Sequence, residues 1–341
     1  MKDLQEIGWN EYLSKQFEPY QTELLMPARV ISEQKKVYRL YSEKGELFAS
    51  ARGILWHQNN MENDIPVVGD WVVVELLNEK NRASIKAVLQ RNTSFSRKAA
   101  SGRKRSGGGK LKEQVIAANI DIAFIVVGLD RDFNLNRIDR YLVLVKSSGS
   151  IPIVILNKAD LCDDVKSKKN KVAQIAPDLT ILSMIALKKR EVKVLNKYIS
   201  KGQTAALLGS SGVGKSTIIN QLLGYQQQKV TDISSSVGKG KHATSRRELF
   251  FLPEGGMIMD NPGMREIQLW ADESMLNETF ENIESLALNC RFSDCRHESE
   301  PGCAVKAAVA EGKLDPQRVK SYQKMRSEVI YLTERRKYSK R

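Results

Sequence analysis

The sequence contains no long apolar stretch. Apolar residues make up 41% of its 341 positions. None of the uninterrupted apolar runs approaches the roughly 20 residues that a membrane-spanning helix needs. The opening residues Met1–Glu6 also lack the basic and apolar segments of a secretory signal peptide. We therefore expect a cytoplasmic protein without a membrane partner.

Cysteine and histidine are scarce, at 4 and 3 residues, which argues against the disulfide framework of a small secreted protein. Three of the cysteines nevertheless lie close to one histidine near the C-terminal end. Three thiolates and one imidazole fill a tetrahedral Zn²⁺ shell and leave no open position, so we expect one structural Zn²⁺. The alternative is a chance grouping around a solvent-exposed histidine. The predicted ligands are Cys290, Cys295, His297 and Cys303.

Acidic residues are outnumbered, with 40 Asp and Glu against 54 Lys and Arg and a net charge of +14. Such an excess favours a polyanionic partner, nucleic acid before a membrane surface, although a merely soluble basic protein shows it too. Basic residues concentrate in the Ser- and Gly-rich segment 97–112 and in the helix predicted after Pro316. Each segment is either solvated or in contact with phosphates, and the sequence leaves both readings open.

The length allows two or three domains, and the residue pattern changes along the chain. Residues 1–24 predict a short helical extension that packs on a neighbouring part of the chain. Residues 25–95 contain five short strand-like segments separated by turns, which is typical of a small barrel of the oligonucleotide-binding (OB) type. Residues 96–113 predict a flexible basic linker. The strand-like segments are Ala28–Ser32, Lys36–Tyr41, Glu46–Arg52, Asp70–Leu77 and Ala83–Leu89.

Apolar strands alternate with helical segments from 114 to 272, which indicates a mostly parallel sheet with helices on both faces. Residues 273–341 hold the cysteine cluster and a long basic helix, so a helical zinc-binding domain is predicted there. The expected fold class is therefore multidomain α/β.

A phosphate-loop motif of the form G-x-x-x-x-G-K-[ST] begins at Gly209. The strand-like segment Thr204–Leu208 precedes it and the helical segment Ile218–Leu223 follows it, which is the context that the motif requires. Backbone N–H groups of such a loop surround phosphate oxygens, its lysine reaches the β- and γ-phosphates, and its last hydroxyls include a Mg²⁺ ligand, here Ser216. The predicted nucleotide-binding residues are Gly209, Ser210, Ser211, Gly212, Val213, Gly214, Lys215, Ser216 and Thr217.

The segment Asn157-Lys158-Ala159-Asp160 has the form N-K-x-D and follows an apolar strand. The carboxylate of Asp160 can accept hydrogen bonds from two guanine donors that adenine lacks. We expect all four residues to contact the nucleotide, with the Lys158 stem over the base. Asn157 either reads the other guanine edge or braces the phosphate loop. Ser183, at the end of the next strand, is predicted to add a backbone contact to the base.

A third element, D-x-P-G at 260–263, has the form of the loop that senses the γ-phosphate. Asp260 is expected to hold Mg²⁺ through water, and the Gly263 N–H to bind the γ-phosphate. Thr244 is predicted as a second hydroxyl ligand of Mg²⁺. Ras-like enzymes orient water with a glutamine where this chain has Met264, so His242 is our candidate for that role. Alternatively, His242 contacts RNA or solvent.

The order of these elements is reversed relative to ordinary GTPases, because N-K-x-D precedes the phosphate loop. Such a circular permutation is tolerated since domain termini tend to lie close together. The chain also runs directly from the γ-phosphate sensor into the C-terminal region.

Together these features resemble the circularly permuted, ribosome small-subunit-dependent GTPase A (RsgA) family of bacteria over nearly the whole chain. The family usually has H-T-T-T where this chain has His242-Ala243-Thr244-Ser245. Further motifs that carry the resemblance are Pro66–Trp71, Ala117–Asp121, Asp132–Asn134 with Arg137, Arg140–Leu142 and Leu156–Leu161.

The resemblance implies an OB barrel, a permuted GTPase domain and a zinc domain. It also implies a role in late maturation of the 30S subunit, with GTP hydrolysis to GDP stimulated by that subunit. The expected partners are then the 30S subunit with its 16S rRNA, GTP and GDP, and we expect a monomer. Two alternatives are a nucleotide-gated RNA-binding module with incidental hydrolysis and a zinc-stapled P-loop ATPase acting on RNA.

Overall fold

The computed structural model describes residues 3–34, 37–51, 65–77, 81–98, 113–225, 247–260 and 273–339. The chain begins with the predicted helix, α1 (Glu11–Phe17), which lies between two short 3-10 segments. The Asn10 side chain caps α1 by accepting a hydrogen bond from Leu13 N at 3.0 Å. Trp9 packs edge-on against Trp71 with ring centroids 4.8 Å apart. The N-terminal aromatic residues therefore pack on the barrel.

Five strands form a closed barrel, in which β1 pairs with both β2 and β4. The order around the barrel is β1-β2-β3-β5-β4, and β3 pairs with β5 in parallel while the other neighbours are antiparallel. The predicted OB-type barrel is thus confirmed. Its strands are β1 (Leu25–Gln34), β2 (Val37–Ser42), β3 (Gly45–Ala51), β4 (Trp71–Leu76) and β5 (Arg82–Val88).

The basic segment after the barrel differs from the predicted linker at both ends. Strands β6 (Ser94–Lys98) and β7 (Glu113–Ala118) pair in an antiparallel ribbon. The flexible linker predicted for 96–113 therefore overlaps regular structure at 96–98 and 113, because backbone pairing extends into the basic sequence. Residues 99–112, which include most of its basic side chains, lie outside the described residues.

A second sheet has the order β10-β9-β8-β11-β13-β12, parallel except for β12. Among the described residues, β12 pairs with β1 of the barrel through Ser32 and Glu248. The strands are β8 (Ile122–Gly128), β9 (Ile151–Asn157), β10 (Thr180–Met184), β11 (Thr204–Leu208), β12 (Glu248–Phe251) and β13 (Met257–Asp260).

Helices cover both faces of this sheet, as predicted. Strand β8 shows why, since Ala123, Ile125 and Val127 join the core on one face while the alternate residues join the core on the other. Helices α2 (Leu135–Ser148) and α3 (Val165–Ile175) contribute to the first core. Helices α4 (Lys189–Val192) and α5 (Lys215–Leu223) contribute buried residues to the second core.

The C-terminal region is helical and has its own core. Along α9, Tyr322, Met325 and Val329 are buried at the predicted helical spacing. Val143 of α2 belongs to the same core, so the C-terminal region packs directly against α2, on one face of the second sheet. The helices are α6 (Glu273–Thr279), α7 (Glu281–Ala287), α8 (Ala304–Ala310) and α9 (Pro316–Ser339). Among the described residues, none of the helices combines the length and apolar character that crossing a membrane requires.

Arg29 of β1 is a buried cation, 2% exposed, at the junction of the barrel with the second sheet. Its guanidinium donates to the carbonyl of Ile7, to the carbonyl of Asn119 at 3.1 Å and to the Thr204 hydroxyl at 2.7 Å. Burial lowers the pKa of Arg29 to about 10, against the opposing field of nearby carboxylates, chiefly Asp121. The side chain therefore remains protonated at neutral pH and ties three parts of the chain together.

Asp139 of α2 is buried opposite Arg318 of α9, with 3.7 Å between Oδ1 and Nε. Arg318 Nη2 donates hydrogen bonds to the carbonyl oxygens of Ile175, at 2.9 Å, and Thr279, at 3.1 Å. Burial raises the pKa of Asp139 from 3.8 to about 7, and the charge of Arg318 only partly opposes that rise. The carboxyl is accordingly protonated in mildly acidic solution.

This raised pKa gives the stability a specific pH dependence. A group whose pKa is higher in the folded state stabilises the fold below its unfolded pKa, and that stabilisation is lost as pH rises towards about 7. We expect the thermal midpoint of Asp139→Asn, minus that of the parent, to increase from pH 5 to pH 8. The exposed residue Asp163 supplies the control, Asp163→Asn, which should show no such trend. A difference that decreases with pH would mean that Asp139 is stabilised as the anion.

Candidate nucleotide site and metal cluster

The carboxyl ends of the parallel strands bring distant parts of the chain to one edge of the sheet. Asn157, the last residue of β9, pairs with Gly128 at the end of β8 and with Met184 at the end of β10. Strand β11 ends at Leu208, directly before the phosphate-loop motif, and β13 ends at Asp260. Open α/β sheets bind ligands at such an edge.

The phosphate-loop motif forms a tight turn that only glycine permits. Gly209, Gly212 and Gly214 have φ of +146°, +77° and +102°. A Cβ atom at Gly209 would lie 2.2 Å from the carbonyl oxygen of Val126, and one at Gly214 would lie 2.3 Å from Asn157 Nδ2. The glycines therefore allow both the left-handed backbone and the close approach to neighbouring strands.

Asn157 joins the two predicted nucleotide elements. Its Nδ2 donates to the carbonyl oxygen of Val213 in the loop at 2.7 Å, and its Oδ1 accepts from Ala186 N at 2.8 Å. The side chain is 2% exposed, so neither bond competes with bulk water. These bonds are the bracing of the phosphate loop predicted for Asn157, and its contact with the guanine edge stays a prediction.

The remaining loop residues lie around the first turn of α5. Lys215 Nζ donates to the carbonyl oxygens of Gly209, at 2.7 Å, and Ser210. Ser216 and Thr217 follow in α5 and are half-buried. The ammonium group thus lies within the loop's curve, next to the backbone that the motif predicts as the phosphate cradle.

Asp160 is exposed and follows Lys158, whose φ of +60° turns the chain at the end of β9. Lys158 Nζ pairs with Asp130 Oδ2 at 2.6 Å. Burial tends to raise the pKa of Asp130, but hydrogen bonds from Lys158 and backbone N–H groups outweigh it, so the pKa lies below its usual value. The ion pair fixes the Lys158 stem beside the predicted base-binding turn, in which Ala159 is half-buried.

The sequence patterns did not identify Asp130 as a site residue, and they predicted no role for Asp132 or Arg137. Arg137, in the first turn of α2, donates to Ser210 Oγ of the phosphate loop and pairs with Asp132. The available signal was positional, because acidic residues directly follow the carboxyl end of β8 at the ligand-binding edge. The sequence gave no means of joining Arg137 to Ser210, 73 positions away.

Several predicted residues are placed differently or cannot be placed. Ser183 is exposed and lies inside β10, and the backbone N–H that meets Asn157 is that of Ala186. A base contact from Ser183 stays a prediction. Asp260 is 8% exposed at the end of β13. Three further predicted residues lie outside the described residues: His242 for the attacking water, Thr244 for Mg²⁺ and Gly263 for the γ-phosphate.

The cysteine cluster is assembled as predicted, with the four ligand atoms of Cys290, Cys295, His297 and Cys303 within 4.8 Å of one another. His297 Nδ1 lies 3.7 Å from Cys290 Sγ and 3.4 Å from Cys303 Sγ, and the two sulfur atoms are 3.9 Å apart. Tetrahedral Zn–S and Zn–N bonds of about 2.3 and 2.0 Å require donor separations of roughly 3.5–3.8 Å. The cluster can therefore hold one metal ion.

The family model for the RsgA GTPase matches residues 88–270, more than half of the chain. The chain belongs to the RsgA GTPase family. A protein from Opitutus terrae named "Small ribosomal subunit biogenesis GTPase RsgA" is 42% identical, and the alignment covers 97% of this chain and 91% of that protein. A protein of the same name from Methanosarcina acetivorans is 40% identical, with 95% and 85% covered.

Solved structures agree with the fold. YjeQ from Thermotoga maritima superposes with a TM-score of 0.63 at 25% identity, covering 90% of this chain and 99% of that one. YloQ, described as a circularly permuted GTPase, gives 0.60 at 22% identity, covering 91% and 96%. The predicted permuted order of the GTPase elements is confirmed.

Metal loading should depend on the cluster alone. We expect elemental analysis of the purified protein to find one metal ion per chain, and Cys295→Ser to lose it, since three ligands bind far more weakly than four. The C-terminal helices should then become sensitive to protease, because metal binding supplies folding free energy to such units. Cys162→Ser, which changes the cysteine outside the cluster, should retain the metal. Metal-free parent protein would contradict the prediction.

Proposed function

We propose that this RsgA-family GTPase binds the small ribosomal subunit during its late maturation and leaves after hydrolysing GTP to GDP and phosphate. Nearly full-length similarity to proteins named for small-subunit biogenesis supports the partner, and the net charge of +14 suits 16S rRNA. The observation that carries the nucleotide part is the Asn157 brace between the N-K-x-D element and the phosphate loop. We further propose that the protein acts as a cytoplasmic monomer.

At the phosphate end, backbone N–H groups of residues 209–214 surround the phosphates of GTP. Lys215 donates from Nζ to the carbonyl oxygens of Gly209 and Ser210. From there its ammonium group is within reach of the β- and γ-phosphates. Mg²⁺ bound with the nucleotide neutralises charge on those phosphates, and Ser216 together with Thr244 and Asp260 would hold it. The proposal includes Gly263 as a γ-phosphate donor, on sequence grounds.

At the base end, the carboxylate of Asp160 accepts hydrogen bonds from the two guanine donors. The Lys158 stem covers the guanine ring. The ion pair with Asp130 supports this role, because it limits the conformations of Lys158 before the base arrives. Ala159 and Ser183 complete the proposed contacts. In the C-terminal region, the cluster of three thiolates and one imidazole is proposed to hold structural Zn²⁺, which this donor set favours.

The proposed function is tested by GTP hydrolysis with and without purified 30S subunits. We expect turnover to rise with the subunits, and GTP rather than ATP to compete for the site. Unchanged turnover with tight GTP-dependent binding would favour a nucleotide-gated RNA-binding module. Equal competition by ATP would favour an RNA-dependent ATPase.

Guanine selectivity should depend on Asp160. In Asp160→Asn a donor faces a donor and a charge-assisted contact is lost, so GTP affinity should fall by about 2–4 kcal/mol. Preference should shift towards xanthine nucleotides. Binding is measured by titration calorimetry, with the exposed neighbour changed in Asp163→Asn as control. GTP affinity within threefold of the parent would remove the guanine-site assignment.

His242 is proposed to orient the attacking water, since the thioether of Met264 cannot. His242→Ala should bind GTP and 30S subunits normally but lose roughly 10²-fold of the subunit-stimulated rate, as expected for a positioned acid–base group. It should also remain bound to the subunit longer than the control Lys241→Ala. Full stimulated turnover would instead assign the orienting role to the ribosome or to backbone groups.

A further inference from the structure

A groove of about 340 Å³ lies between the first two turns of α2 and the N-terminal half of α9. Four basic side chains line it, and we refer to it as the basic groove. The groove is on the face of the second sheet that α2 covers, opposite α4 and α5. Its basic residues are Arg137, Arg140, Lys320 and Lys324.

The positive charge of the basic groove is only half compensated. Arg137 pairs with Asp132, and Arg140 pairs with Glu328 at 2.7 Å. Lys320 and Lys324 are exposed and form no ion pair with any other described residue. Four cations thus face two anions. Like charges one helical turn apart, as in these two lysines, repel each other and destabilise the helix. An anion bound between them would relieve that repulsion.

The walls of the basic groove are held in place by contacts beneath it. Arg140 and Glu328 connect α2 to α9 directly, and the buried Asp139 and Arg318 lie under the same junction. Tyr322 of α9 donates to Glu284 Oε1 of α7 at 2.5 Å. Binding of a ligand therefore requires little ordering of the backbone that carries these cations.

We propose that the basic groove binds backbone phosphates of RNA in the small ribosomal subunit. The inference rests on the proposed function for its partner and adds the surface that contacts it. Side chains at positions i and i+4 have Cβ atoms about 5–6 Å apart, so Lys320 and Lys324 can contact neighbouring phosphates of one strand. Ser321 and Asn136 supply uncharged hydrogen-bond donors beside them, which is the usual composition of phosphate-contacting surfaces.

The basic groove is also connected to the nucleotide site. Arg137 lines the groove and donates to Ser210 Oγ of the phosphate loop. A phosphate in the groove is therefore attracted to the same guanidinium that contacts the loop. Bound RNA and bound nucleotide would share one side chain, which gives a physical route for communication between them.

The test uses full-length protein and measures affinity for 30S subunits, and for a short RNA duplex, over a series of KCl concentrations. Each phosphate contact contributes about one unit to the slope of log K against log salt. We expect Lys320→Gln/Lys324→Gln to reduce the slope by about 2 with both probes. The matched control, Lys189→Gln/Lys197→Gln, removes two exposed lysines from the opposite face of the sheet and should keep the parent slope.

Zinc content and the thermal midpoint verify that the groove variant is folded. Equal slopes for the groove and control variants would overturn the proposal. A slope reduced with 30S subunits but not with the duplex would also overturn it, in favour of an acidic ribosomal protein as the occupant. If the parent does not bind 30S subunits, the proposed function fails, and the duplex measurement alone then decides whether the groove binds RNA.

Discussion

The arrangement of this protein depends on one buried cation at the junction of its parts. Arg29 belongs to the barrel, yet its acceptors are Ile7 in the N-terminal segment, Asn119 before β8 and Thr204 at the start of β11. A guanidinium removed from water needs all of these partners, because an unsatisfied buried charge is far more costly than an exposed one. The barrel and the GTPase sheet are therefore held in one relative orientation.

Helix α2 provides a second connection, at the functional edge. Its first turn contacts the phosphate loop through Arg137, and its next turn contacts α9 through Arg140. Val143 lies in the C-terminal core. One 14-residue helix thus touches the predicted nucleotide site and the region that carries the metal cluster. The C-terminal region packs against α2 as well as following the predicted γ-phosphate sensor in the chain.

The candidate site divides into local and non-local parts. The phosphate loop was predictable because its glycines, Lys215 and flanking elements act within a few residues of one another. The metal cluster was predictable for the same reason, since its ligands lie within one short segment. Asp130 was missed and Arg137 had no assigned role because their partners, Lys158 and Ser210, lie 28 and 73 positions away. Side-chain contacts over such separations follow from the packing of whole elements.

The sequence by itself determined the order of the domains, the barrel strands, the α/β alternation, the permuted order of the nucleotide elements and the grouping of three cysteines with one histidine. These features are recorded in local patterns of glycine, charge and apolar spacing. Only the tertiary structure showed that Asn157 braces the phosphate loop, because its partners Val213 and Ala186 come from other strand ends. It also decided that lysines of α9 face arginines of α2 across a groove, since helix packing alone brings those surfaces together.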